Sequence, residues 1–326
     1  MMLAIMASSL KISATNSYGP DDPEKTTTVG YSKNVPSSAL PTFGTPSPAP
    51  VKAPTDQISK ESLRVSKPIL SLTETSYEIT SAAPIPMASK AMPSTFKGCA
   101  SNDILGWQNL NDIFRQISKG QKTIKILQIG DSHVRGNIWP QTMQKSLESK
   151  FNDAQHKSVS FDFIGINGAR ASKFTSQELL GKISAKHPDL VIISFGTNEA
   201  HGNFSSASNR KVMDNLVSSI RRSNPNVTFL ITTTPGSYIS RGGSKVVNKT
   251  HEDVARNLVE FGQANGIAVW DMYHNLGGND HACQNLINAK MMQNDRIHLT
   301  ASGYRMIGEM FSEAFINAYN KSLRSK

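Results

Sequence analysis

From about residue 120 onward, short and nearly continuous apolar runs alternate with stretches whose apolar residues recur at helical spacing. That order constrains the fold more than any other feature of the chain. Strands that are apolar throughout must be buried on both faces, and a helix between consecutive strands supplies the crossover that parallel pairing requires. The runs fall at 124–129, 159–166, 190–195, 227–233 and 267–270. They predict an α/β fold: a three-layer α/β/α sandwich around a five-stranded, mainly parallel sheet.

The intervening helices carry their own signals. Val212, Leu216, Val217 and Ile220 share a face, and Thr250 with Asp253 resembles a capping box opening a helix through Val254, Leu258 and Phe261. Asn265-Gly266 then supplies its stop. The last helix is entered through Thr300 as N-cap and aligns Tyr304, Ile307, Phe311, Ala314, Phe315 and Ala318. These stripes read as core and carry no cofactor message.

Composition sets the boundary of this domain. Twelve of the 16 prolines precede Phe96, among runs rich in Ser and Thr, so residues 1–96 bury too little apolar surface to offset chain entropy and read as a disordered tether. Residues 97–326 form the expected compact domain. Charge follows the same division: residues 1–96 hold 8 Lys/Arg against 7 Asp/Glu, leaving 27 against 18 of the chain's 35 and 25 for the remainder. The basic residues are scattered, aromatics make up only 7%, and no nucleic-acid-binding signature is present, which argues against a nucleic-acid partner. No apolar run approaches the roughly 18 residues that would span a bilayer. The start, Met1-Met2-Leu3-Ala4-Ile5-Met6-Ala7, is apolar like the end of a secretory signal but lacks a basic n-region and a small-x-small cleavage site. Cys99 and Cys283 are too few for a disulfide framework and leave open one bridge or two free thiols.

In a sheet of this kind, working residues gather at the carboxyl ends of the strands. Four short motifs fall there or in the loops that follow. Gly130-Asp131-Ser132-His133 ends the first run and places a serine on a turn, where a hydroxyl is exposed beside backbone N–H groups. Gly165-Ile166-Asn167-Gly168-Ala169 ends the second, with glycines that let backbone approach a substrate oxygen closely. Gly196-Thr197-Asn198-Glu199-Ala200 follows the third, with an amide able to donate into the same crevice. Asp295-Arg296-Ile297-His298 precedes the last helix, and its spacing lets a carboxylate hold one ring nitrogen while the other takes a proton from Ser132. Each motif alone is as readily an ordinary turn. His133 and His201 flank the crevice, but no carboxylate or cysteine joins them at ligand spacing, so local hydrogen bonding is the expected role. Arg135, Arg170 and Lys173 read as solvated charge or as contacts for a polymer's acidic groups.

Together and in this order, the motifs resemble the SGNH (GDSL-like) hydrolase superfamily, over about residues 121–320. The resemblance implies a flavodoxin-like fold and a serine esterase. It also implies roles: Ser132 as nucleophile, His298 as base, Asp295 as its orienter, and Ser132, Gly168 and Asn198 as oxyanion donors. No metal or organic cofactor is implied. Gly-Asp-Ser-His, Ile-Asn-Gly-Ala and Gly-Thr-Asn-Glu-Ala are similar to segments of bacterial polysaccharide and peptidoglycan O-acetylesterases. The expected partner is therefore an acylated small molecule or an acetylated polysaccharide, and the expected location extracytoplasmic. Glu199 departs from the aspartate that much of the superfamily carries there. An O-acetyltransferase would use the same residues, and a non-catalytic glycan-binding protein would need only the basic domain and its tether. Loops at 136–140, 168–175, 201–209, 235–249 and 274–294 are the expected walls of the site.

Overall fold

The computed structural model describes residues 84–86 and 90–325 of the protein; the remainder of the expected tether lies outside the described residues. The strands are β1 (Ile104–Leu105), β2 (Ile124–Gly130), β3 (Val159–Gly165), β4 (Leu190–Ser194), β5 (Thr228–Thr232), β6 (Tyr238–Arg241), β7 (Ser244–Val247) and β8 (Ala268–Trp270). The helices are α1 (Asn111–Lys119), α2 (Ser132–Arg135), α3 (Ile138–Phe151), α4 (Gln177–Ala185), α5 (Thr197–Ala200), α6 (Ser206–Ser223), α7 (Thr250–Ala264), α8 (Met272–Asn275), α9 (Gly278–Asn288) and α10 (Ala301–Arg324).

The five apolar runs form the parallel strands of one sheet, ordered β1-β8-β5-β4-β2-β3. The sheet has six strands rather than the expected five, because β1 pairs antiparallel with β8 through Ile104↔Trp270 and Leu105↔Val269. A two-residue strand is too short to show any periodicity, so nothing in the sequence marks it. The alternation along each central strand shows why the runs are apolar throughout. Ile124 and Ile126 of β2, with Leu190 and Ile192 of β4, join the core beneath α1, α3 and α10, whereas Leu127, Ile129, Val191 and Ile193 join the core beneath α4, α6 and α7. Chain order reverses between β2 and β4, so the crevice at the carboxyl ends of these two strands is the topological switch point.

Local chemistry agrees with most helix boundaries. The Thr300 hydroxyl accepts from the Gly303 N–H at the start of α10, as its sequence position predicts. At α7 the expected capping box is not formed: Lys249 occupies the N-cap without a side-chain bond, and Asn248 Oδ1 accepts from the Thr250 N–H at 3.3 Å. Gly266, in the left-handed region at φ 60°, supplies the stop. Both cysteines are free thiols, Cys283 buried.

Helix α10 seals one face of the sheet. Phe311, Phe315 and Tyr319 pack edge-on against Trp270, Phe114 and Phe151, and Phe311 stacks on Phe315. Its outer side receives the stretch before residue 97. The Asn320 side chain exchanges 2.8 Å hydrogen bonds with both backbone groups of Ile85, Ala91 N–H donates to Glu313, and Met92 and Phe96 pack against the core. Phe315 is fully buried at the centre of the aromatic cluster, so Phe315→Ala is expected to cost about 3–5 kcal/mol of unfolding free energy by denaturant titration, and a cost below about 1 kcal/mol would contradict this packing.

Candidate active site

Ser132 owes its position to the way β2 ends. The strand stops at Gly130, and Asp131 turns the chain as N-cap of α2, its carboxylate accepting from the His133 N–H at 2.9 Å. Ser132 is thus the first residue of a short helix rather than part of a turn before α3, and its N–H has no intrahelical acceptor. Helix α2 lies hard against β3: a Cβ on Gly165 would stand 2.2 Å from Arg135 N and 2.5 Å from Arg135 Cα. Only glycine lets the serine-bearing helix sit there.

The loop before α10 brings the histidine. Met292 bridges to Leu299, and Gln293 N–H donates to the His298 carbonyl at 2.8 Å, so 293–298 is a closed loop whose tip passes through Arg296 at φ 63°. Within it Asp295 divides its two oxygens. Oδ1 accepts from Ile297 N–H (2.9 Å) and His298 N–H (3.0 Å), while Oδ2 faces His298 Nδ1 at 2.6 Å. His298 Nε2 then lies 2.9 Å from Ser132 Oγ. A carboxylate opposite Nδ1 keeps the proton there and leaves the Nε2 lone pair pointing at the hydroxyl. Burial alone would raise the Asp295 carboxyl. The hydrogen bonds from His298 and from the two N–H groups outweigh it and hold the acid below its ordinary value, ionised and able to stabilise an imidazolium.

Opposite this line stand the loop after β3 and helix α5. Gly168 is left-handed at φ 66°, and a Cβ there would meet nothing within 4 Å, so this backbone borders open space. Asn198 Nδ2 donates to Ala169 O at 3.0 Å and faces Asp131 Oδ2 at 3.4 Å. The two segments are tied further by Arg170 Nε to Asn198 O (3.1 Å) and by Ala171 N–H to Glu199 Oε1 (2.9 Å). Glu199 therefore has a structural role that its longer side chain suits, reaching across to brace the loop that carries Gly168. Burial raises its carboxyl above the usual range, and complete burial pushes the Asp131 carboxyl up to about 7, with Glu199 adding to the rise and the His133 N–H opposing it.

The model of the GDSL-like lipase/acylhydrolase family matches residues 128–306, more than half of the chain and inclusive of every residue above. The chain belongs to this family. It is accordingly an ester-hydrolysing serine hydrolase. No relative with a curated description matches its sequence. Among solved structures, a peptidoglycan O-acetylesterase is similar over 73% of this chain and 99% of its own, at 16% identity and a TM-score of 0.55, a likeness of fold. A carbohydrate esterase family 3 protein from Talaromyces cellulolyticus is similar over 61% of this chain and 99% of its own, at 19% identity and a TM-score of 0.44.

Around the serine of this GDSL-like acylhydrolase, the other histidines are held by local hydrogen bonds. His133 Nδ1 meets Tyr304 Oη at 3.0 Å, and its ring lies 5.3 Å from that of His298; burial, then the charge on His298, push it down to about 3. His201 Nε2 meets Ser237 Oγ at 2.7 Å, which meets His251 Nε2 at 2.7 Å, and His251 Nδ1 continues to Thr234 and thence Thr197.

Two more Asp-x-x-His segments are not among the motifs singled out in the sequence: Asp153 to His156 on the exposed surface, and Asp271 to His274 at the end of β8. His274 Nδ1 lies 2.6 Å from Asp271 Oδ2, but its Nε2 lies 3.1 Å from Glu252 rather than facing a hydroxyl. Set between two carboxylates, the ring is a fixed cation; the Asp271 hydrogen bond leads the causes that push it up to about 9, against partial burial. Because that value exceeds the unfolded value of about 6.5, the charged ring's stabilisation is complete below that pH and is lost as pH rises through about 9. The melting-temperature gap between wild type and His274→Gln is expected to be widest near about pH 6 and to narrow as pH rises past about 9. A gap independent of pH across that window would show that the ring is not charged in the folded protein.

Proposed function

We propose that this serine hydrolase removes small acyl groups, O-acetyl foremost, from a glycan through an acyl-Ser132 intermediate. Ser132 Oγ attacks the ester carbonyl carbon as its proton passes to His298 Nε2, and Asp295 steadies the imidazolium. The oxyanion takes the N–H groups of Ser132 and Gly168 and the Asn198 amide, whose long 3.4 Å contact with Asp131 is the one that gives way. His298 returns the proton to the departing sugar hydroxyl. Water then attacks the acyl-serine carbon, gives its proton to His298 and, as the Ser132 oxygen leaves and is reprotonated, frees acetate.

One observation carries this reading: the unbroken line from Asp295 through His298 to Ser132, with contacts of 2.6 and 2.9 Å and with base and nucleophile 166 positions apart. A glycan alcohol is supported by what lies next to Asn198. A cavity of about 170 Å³, bordered by neither Ser132 nor His298 but reached from the Asn198 side, is lined by Arg170, Ser172, Glu199, Asn203 and Asn209 with Phe204 and Val212, a mainly polar wall that suits sugar hydroxyls. The sequence likeness of the Gly-Asp-Ser-His, Ile-Asn-Gly-Ala and Gly-Thr-Asn-Glu-Ala segments to O-acetylesterases points the same way, to an acetylated polysaccharide outside the cytoplasm.

Ser132→Ala is expected to lower turnover of p-nitrophenyl acetate on the order of 10⁴- to 10⁶-fold and to abolish labelling by a fluorophosphonate. Undiminished turnover in this variant would sink the proposal. Asn198→Ala should lower kcat on the order of 10²- to 10³-fold with the serine still labelled, since it removes one oxyanion donor and leaves Ser132 and His298 in place.

A further inference from the structure

Six exposed cations lie on the segments that leave the carboxyl end of the sheet and adjoin the loops of the site. Arg135, Arg170 and Lys173 lie on the β3 side, and Arg241, Lys245 and Lys249 lie on the β6–β7 hairpin and its exit. Each group is tied to the site. Arg170 Nε donates to the carbonyl of Asn198, and Lys245 Nζ reaches the carbonyl of Asp295 at 3.4 Å. The hairpin is anchored to the same loop by Tyr238 N–H donating to Arg296 O at 2.8 Å.

Among the described residues, none of the six has a carboxylate within ion-pair distance. The acids at this end are engaged or turned inward. Asp131 and Glu199 are buried, Asp295 holds His298, and Glu252 holds Arg256 and His274. Elsewhere on the domain some cations are paired, Lys122 with Asp189 and Lys186 with Asp162, and others, Lys119 and Lys150 among them, are not; what sets the six apart is their gathering on two walls at one end of the sheet. Uncompensated charge of one sign on both walls of a crevice focuses the field at its floor and raises the local concentration of an anionic ligand. The cavity that Arg170 shares with Ser172, Asn203 and Asn209, walled also by Glu199, Phe204 and Val212, adds hydroxyls and amides that a sugar can use.

We propose that the substrate of this site is a carboxylate-bearing polysaccharide lying across Ser132, its acid groups flanking the esterified sugar and engaged by Arg170 on one side and by the hairpin's Arg241 and Lys245 on the other. This assignment rests on the esterase reading for the bond that is cleaved, but not for the recognition of charge, which is a binding property.

Binding is therefore measured first, on the Ser132→Ala protein, by affinity electrophoresis in gels containing polygalacturonate, the same polymer with its carboxylates fully methyl-esterified, or duplex DNA. Retardation by polygalacturonate and not by the methyl ester is expected. Adding Lys173→Glu and Arg241→Glu should weaken it about tenfold, whereas Lys119→Glu with Lys150→Glu, which changes net charge equally at the ends of α1 and α3, should change it less than about twofold. Equal retention by the methyl ester, equal weakening by the control pair, or tighter binding of DNA through the same rim would overturn the proposal. On the active protein, kcat/KM for O-acetylated polygalacturonate should exceed that for its methyl-esterified form, and the ratio should fall toward unity as salt rises from about 0.05 to about 0.5 M. Failure to release acetate from either polymer or from p-nitrophenyl acetate would refute the esterase reading, and the gels would still decide whether the rim recognises carboxylates.

Discussion

The burial of β2 on both faces is the constraint from which the site follows. A strand with Ile124 and Ile126 in one core and Leu127 and Ile129 in the other cannot slip by one residue without exchanging its two faces, so its register against both neighbours is held by packing. That register sets Gly130 opposite Gly165 and opposite Ser194, which brings three strand ends level. The three segments that leave those ends carry Ser132, Gly168 and Asn198. They meet without any long reach because the sheet delivers them to one edge, and the two glycines at the seam let α2 and its neighbours approach at backbone distance.

Two of the chain's three Asp-x-x-His pairs show how little the pairing itself says about chemistry. Asp271–His274 and Asp295–His298 share spacing and a 2.6 Å contact at Nδ1. They differ in what the far nitrogen meets. Glu252 makes His274 a charged strut between α7 and α8, whereas His298 Nε2 faces the Ser132 hydroxyl. The identity of a single atom about 3 Å away, carboxylate or hydroxyl oxygen, distinguishes the two rings.

The site also sorts its charges by depth. Acidic groups lie within or beneath the crevice, Asp131 and Glu199 buried and Asp295 held by three donors, where they brace loops and orient the base. Cations occupy the rim, where long side chains keep their heads in water. The buried acids bear a desolvation cost that raises their pKa and that N–H donors offset in part, whereas the exposed bases stay hydrated.

The parallel sheet is legible in the sequence because strands buried on two faces must be apolar throughout, and the edge strand β1 is not, since two residues carry no period. The β6–β7 hairpin has a readable signal in Gly242-Gly243 between β-rich runs, within a stretch whose expected role is only that of a loop wall. Ser132, Gly168, Asn198, Asp295 and His298 stand out in the sequence because each lies in a short motif at or after a strand end or at a helix entrance, where local backbone demands limit the residue types. What the chain order leaves open is which far nitrogen meets which oxygen, whether Glu199 braces a loop or faces solvent, and which cations lack a partner. Those are distances between residues remote in sequence, and only packing of the two cores against one sheet sets them.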